Sequence, residues 1–198
     1  MDVETTAIPD VFVFHPKKIL DNRGDFFEAL RFPHLEELTE RPFRAAQVNY
    51  STSRRNTLRG IHSVTVPPGQ AKLVSCVRGA ARDVAVDLRL GSPTFGVHHS
   101  TILDPDRACT VYVPEGVGHG FLTLTDDTVI CYVLSSVHVP GTQIDINPWD
   151  PSLNLPWKAV EPVYISDKDR AAPSVAEAER DGLLMTWPGP TLSKGTSS

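Results

Sequence analysis

Lys72-Leu73-Val74-Ser75-Cys76-Val77-Arg78-Gly79-Ala80-Ala81-Arg82-Asp83-Val84-Ala85-Val86-Asp87 decides the fold class. Apolar and polar residues alternate on either side of Arg78-Gly79, a turn signal, so the stretch reads as paired β-strands. The same alternation returns in Val11-Phe12-Val13-Phe14, Thr110-Val111-Tyr112-Val113 and Val129-Ile130-Cys131-Tyr132-Val133-Leu134. Turn signals lie between such runs: Asn22-Arg23-Gly24, Pro67-Pro68-Gly69, Gly91-Ser92-Pro93, Pro114-Glu115-Gly116 and Thr125-Asp126-Asp127. Many short strands broken by turns predict a mainly β, antiparallel sandwich or barrel, and the lack of a strand–helix–strand rhythm argues against a parallel sheet. Two short helices are expected. One spans residues 32–38 with Pro33 near its start; the other spans 174–182, where Ser174 and Glu177 form a capping box and Gly182 ends the helix.

The chain has 198 residues, enough to bury a core without covalent staples. We expect one domain over residues 1–187 and a polar, disordered tail over 188–198. The net charge of −5 and the lack of a basic patch argue against nucleic acid as a partner. Cys76, Cys109 and Cys131 fall in strand-like text and predict buried free thiols rather than a disulfide framework. The first residues carry no signal-peptide pattern and no apolar run is long enough for a membrane span, so a cytoplasmic protein is expected.

The chemistry gathers around Arg59-Gly60-Ile61-His62. A barrel would fold His62, Arg59, Lys72 and an aspartate of the 83–87 strand onto one face. Such a set suits proton abstraction beside a carbonyl, with the imidazole as base and a cation holding the oxyanion. His62 needs a carboxylate to orient its ring, and Asp169 is a candidate. Tyr132, taken alone, reads as a strand tyrosine packed in the core. Glu115-Gly116-Val117-Gly118-His119-Gly120-Phe121 reads as a glycine-rich turn whose histidine bonds the backbone. His62 and His119 with a carboxylate would make a metal triad, but Arg59 and Lys72 would repel a cation, and no metal is expected. Asn22-Arg23-Gly24-Asp25-Phe26-Phe27-Glu28 reads either as a hairpin with a solvated turn or as a phosphate- and base-binding segment.

Taken in order, these motifs resemble the dTDP-4-dehydrorhamnose 3,5-epimerase family over residues 12–187. The resemblance rests on Asn22-Arg23-Gly24-Asp25-Phe26-Phe27-Glu28, Gln47-Val48-Asn49, Leu58-Arg59-Gly60-Ile61-His62 and Pro67-Pro68-Gly69-Gln70-Ala71-Lys72. It continues through Asp83-Val84-Ala85-Val86-Asp87-Leu88-Arg89, Gly91-Ser92-Pro93-Thr94-Phe95-Gly96, Pro114-Glu115-Gly116-Val117-Gly118-His119-Gly120-Phe121 and Ser166-Asp167-Lys168-Asp169. The resemblance implies a cupin-type jelly-roll barrel with a few short helices, a homodimer, a dTDP-4-keto-6-deoxyhexose substrate and no metal or other cofactor. It makes His62 the base, held by Asp169, with Lys72 on the enolate oxygen and Tyr132 as the acid. Arg59 and His119 would line the same pocket. Arg23, Phe26, Glu28, Gln47 and Lys168 would serve the nucleotide, some of them across the dimer.

Three positions depart from the family's pattern. His138 stands where a tyrosine that stacks on thymine is common, Gln143 where a glutamate is usual, and Ser63 where an aromatic residue often follows the histidine. These departures bear on which sugar is bound and whether C3, C5 or both invert, and they suggest an antibiotic deoxysugar pathway. Two other readings stand beside the epimerase: a metal-dependent cupin oxygenase or isomerase, and a silent nucleotide-sugar-binding protein. For the dimer, the run Val11-Phe12-Val13-Phe14 is the candidate strand for pairing across the interface.

Overall fold

The computed structural model describes residues 1–158 and 161–189; residues 190–198, most of the expected disordered tail, lie outside them. The chain opens with β1 (Asp2–Thr5), β2 (Phe12–His15), the exposed hairpin β3 (Ile19–Asp21) and β4 (Gly24–Phe26), and helix α1 (Phe32–Thr39). It continues through β5 (Gln47–Ser53), β6 (Leu58–Val64), β7 (Lys72–Arg78), β8 (Ala81–Asp87) and β9 (His98–Leu103). Then come β10 (Thr110–Val113), β11 (Val117–Thr123), β12 (Thr128–Leu134), β13 (Gln143–Asp145), α2 (Asp167–Arg170) and α3 (Val175–Arg180).

The strands form a six-stranded sheet in the order β1-β2-β10-β7-β12-β5 and a five-stranded sheet in the order β13-β6-β11-β8-β9. From β5 to β8 and again from β9 to β13, successive strands alternate between the sheets, which is how a cupin-type jelly roll sews two layers together. The sheets face each other without closing into a continuous ring. This corrects the expected pairing of the opening stretch: β7 and β8 do not pair. β7 lies between β10 and β12, and β8 lies between β11 and β9, so Arg78-Gly79 turns the chain from one layer to the other. Alternation marks two strands and a turn, but it does not say whether the turn closes a hairpin or crosses a sandwich.

Burial follows the layers. Val13, Val74, Ala85, Val111, Phe121 and Ile130 fill the space between the sheets. The outer face of the six-stranded sheet packs Phe14, Leu73 and Tyr112 under Leu35 of α1. The outer face of the five-stranded sheet packs Ile61, Val84 and Val86 under Ile144, Ile146, Val175 and Ala178. β10 is buried along its whole length because both its faces are covered. Cys76, Cys109 and Cys131 are buried free thiols. The predicted capping box of α3 is present, and Pro33 sits in the first turn of α1.

Two further expectations change. Residues 117–123 form a fully buried strand, so the glycine-rich turn is limited to Pro114-Glu115-Gly116. β2 has both edges occupied, by β1 and β10, so within this fold it offers no free edge for pairing; the free edges of its sheet belong to β1 and β5. Among the described residues, no helix is long and apolar enough to cross a membrane.

Candidate active site

β6 carries the histidine, and one irregularity decides where it points. His62 pairs with His119 and Arg59 with Phe121, so three steps along β6 match two along β11. The extra residue is a β-bulge, and it puts Arg59 and His62 on one face where regular alternation would separate them. Gly60 makes this possible. Its φ is +111°, and a Cβ there would lie 2.6 Å from both the Gly120 Cα and the His119 carbonyl oxygen. Gly120 leaves the matching space on β11.

α2 supplies the partner. His62 Nε2 lies 2.6 Å from Asp169 Oδ1. Ser166 caps this four-residue helix by accepting the Asp169 backbone N–H, which aims the carboxylate at β6. The Gly60 backbone N–H approaches the other carboxylate oxygen at 3.4 Å. Burial alone would raise the Asp169 carboxyl, but the contacts from His62, Gly60 and Ser166 together outweigh it and hold it below the ordinary carboxylate range. With Nε2–H donated to Asp169, the lone pair of the neutral ring sits on Nδ1.

The facing wall is the six-stranded sheet. Tyr132 on β12 and Lys72 on β7 join Arg59, His62, His119, Gln70 and Phe121 around a cavity of about 480 Å³. Burial pushes the Tyr132 phenol far up, so it stays a proton donor; its hydroxyl lies 3.3 Å from Ser51 Oγ. Burial also lowers the Lys72 ammonium to about 8, against the opposing pull of the Asp145 and Asp83 charges. His119 does not bond the backbone. Its Nε2 lies 2.6 Å from Asp83 Oδ2 in a second, fully buried histidine–aspartate pair, and its ring stands edge-on to Tyr132 at 6.2 Å. Arg59 Nε donates to Ser53 Oγ at 3.0 Å.

The remaining candidates fall into two groups. His138 and Gln143 line an adjoining recess with His62 and Lys72. Gln47 accepts the His138 backbone N–H at 3.0 Å, and Lys168 lies on the other side of His62 in a cleft with Asp169. Arg23, Phe26 and Glu28 are not brought to this cavity. They sit on or after the β3–β4 hairpin, where Arg23 pairs with Asp21, Glu28 pairs with Arg31 and Phe26 is 71% exposed.

Three residues near the chemistry were not singled out by the sequence, although Asp83 was one of the two aspartates of the strand it placed beside His62. Ser51 touches the Tyr132 hydroxyl, Asp83 holds His119, and Asp145 stands 3.6 Å from His62 Nε2. Asp83 lies two residues after Ala81 on an alternating strand, so its inward direction was legible, but its partner was not. Asp145 ends a three-residue strand, too short for any periodicity.

The metal triad weighed and set aside for His62 and His119 is not assembled, because Asp83 occupies His119 Nε2. Among the described residues, the group of potential metal ligands is His62, Asp145 and Asp169. Lys168 Nζ lies 3.1 Å from Asp145, and Lys72 acts on the same carboxylate, so ammonium groups already balance that charge.

Residues 5–177 match the family model described as dTDP-4-dehydrorhamnose 3,5-epimerase. A dTDP-4-dehydrorhamnose 3,5-epimerase from Mycolicibacterium smegmatis is 40% identical, over 94% of this chain and 92% of that protein. Among solved structures, NovW, a 4-keto-6-deoxy sugar epimerase from the novobiocin gene cluster of Streptomyces spheroides, superposes with a TM-score of 0.91 at 42% identity, covering 94% of each chain. ChmJ from Streptomyces bikiniensis, a 3'-monoepimerase in complex with dTDP-quinovose, superposes with a TM-score of 0.87 at 42% identity, covering 91% of each chain.

Proposed function

Because the chain belongs to the dTDP-4-dehydrorhamnose 3,5-epimerase family, we propose that it inverts C3, C5 or both in a dTDP-4-keto-6-deoxyhexose. The observation that carries this reading is that His62 and Tyr132 enter one cavity from different sheets. Inversion needs a base on one face of a carbon and an acid on the other. His62 takes the proton from a carbon next to the 4-keto group, and the electron pair moves onto the ketone oxygen. Lys72 holds that enolate oxygen. Tyr132 then gives its phenolic proton to the opposite face of the same carbon, and the resulting phenolate and imidazolium exchange protons with water. No redox cofactor takes part.

His138 and Gln143 in the adjoining recess, Gln47 beside His138, and Lys168 in the cleft on the other side of His62 contact the nucleotide in this reading, and His138 offers a smaller stacking face than tyrosine. Arg23, Phe26 and Glu28 reach a nucleotide only if another subunit presents them. A homodimer that exchanges the β3–β4 hairpin satisfies this, and Ile19, Leu20 and Phe26, exposed at 62%, 77% and 71%, are the surface it would cover. The enzyme would work in the cytoplasm, in deoxysugar biosynthesis. NovW's origin in an antibiotic cluster supports a natural-product pathway.

The test is incubation with dTDP-4-keto-6-deoxyglucose in deuterated water, with C3 and C5 read by NMR. Deuterium at both carbons is the signature of a 3,5-epimerase, and deuterium at one names a monoepimerase. Absence of exchange at either carbon, with tight dTDP binding, would mean another sugar or a binding-only protein.

A further inference from the structure

We infer that Ser51 is the positioning residue of the acid: its hydroxyl donates to the Tyr132 oxygen, leaves the phenolic hydrogen turned into the cavity, and meets the charge that inversion leaves on that oxygen. The inference deepens the proposed reaction and rests on Tyr132 being its acid. Ser51 lies on β5, the edge strand beside β12, where it pairs with Ile130. Tyr132 pairs with Asn49, so Ser51 is its diagonal neighbour on the same face, within reach of a long aromatic side chain. Both residues line the cavity, and their hydroxyls lie 3.3 Å apart.

The make-up of β5 supports a role for this contact. A strand with one covered face ordinarily turns its apolar residues toward the core. β5 does the reverse. Gln47, Asn49, Ser51 and Ser53 share the cavity face, while Val48 and Tyr50 on the other face are exposed. Three of these polar groups meet other parts of the site: Gln47 accepts the His138 backbone N–H, Ser53 accepts the Arg59 Nε–H at 3.0 Å, and Ser51 meets Tyr132. His119 and Phe121 pack against the Tyr132 ring, with centroids 6.2 and 6.5 Å away, but ring packing leaves the direction of the hydroxyl hydrogen free. Among the described residues, Ser51 is the side chain in hydrogen-bond contact with that hydroxyl.

A phenol oxygen carries one hydrogen. With Ser51 donating to the oxygen, that hydrogen is free for the sugar carbon. During inversion the electron pair of the enolate forms the new C–H bond, the phenolic O–H bond breaks, and its pair stays on the oxygen that Ser51 faces. Hydrogen bonds to a charged oxygen are shorter and stronger than neutral ones, so the 3.3 Å contact tightens as the proton leaves.

Ser51→Ala removes the hydroxyl, and Ser51→Thr keeps it on a residue suited to a strand. In deuterated water, Ser51→Ala should invert about 10–100-fold more slowly while deuterium still enters the unconverted sugar, with KM little changed. Ser51→Thr should recover most of the inversion. In a Tyr132→Phe background, Ser51→Ala should slow nothing further. In the ligand-free protein carrying ¹³C-labelled tyrosine, the Cζ resonance of Tyr132 should move in Ser51→Ala and return in Ser51→Thr. Equal loss of exchange and inversion in Ser51→Ala, persisting in the Tyr132→Phe background, would place Ser51 on the sugar and overturn the inference while the reaction stands. If the wild type inverts neither carbon, the proposed reaction fails, and the Cζ resonance still judges Ser51: a signal unmoved in Ser51→Ala overturns its hold on the phenol.

Discussion

Arg59 and His62 lie three residues apart on one strand, yet they face Phe121 and His119, which lie two apart on the next. The site depends on that mismatch, and the mismatch depends on Gly60. Gly60→Ala should be strongly destabilising, on the order of 3 kcal/mol, because it forces a Cβ into backbone at a left-handed φ. A urea denaturation midpoint within error of wild type would show that the bulge tolerates a side chain.

In the proposed reaction Asp169, 2.6 Å from His62, acts through that imidazole and has no need to touch the sugar. Asp169→Asn should lower kcat by about 10²–10⁴-fold, because an amide neither fixes the tautomer nor balances the imidazolium. KM for the nucleotide sugar should change little. A loss confined to KM would move Asp169 from the base to the binding surface.

How much of this was legible depends on range. Strands, turns and the α3 capping box are local, and the sequence shows them. Layer assignment is not local: the same alternation serves a hairpin and a sandwich crossing, so β7 and β8 were placed in one sheet instead of two. The bulge at Gly60 breaks the period-two rule by one residue, which no pattern count anticipates. α2, four residues long, has too little periodicity to be seen, although it carries both Asp169 and Lys168. His62 and Lys72 lie inside motifs that carry the resemblance, whereas Tyr132 reads from its own strand as core packing and takes a role from the resemblance alone. Asp145 was missed because its approach to His62 comes from the pairing of β13 with β6.

Tyr132 is set across the cavity from His62. Tyr132→Phe removes the phenolic proton and leaves the ring packing against His119 and Phe121 intact. Deuterium exchange from solvent should persist, since abstraction and return on the His62 side survive, while inversion should fall by about 10²–10⁴-fold. Equal loss of both would indicate that the tyrosine is not the acid, and full retention of inversion would indicate the same.

In the proposed reaction Lys72 sets the alkaline limit. Burial lowers its ammonium to about 8, so in the free enzyme the charge needed for the enolate disappears as pH rises through that value. The profile of kcat/KM, which reports the free enzyme, should therefore fall above about pH 8. Tyr132 cannot produce this limb, because burial drives its titration far higher. Lys72→Arg keeps a charge that does not titrate in this range but presents a wider, planar group. It should lower the plateau and abolish the limb. A limb that stays in place in Lys72→Arg would assign it to another group and remove Lys72 from the enolate.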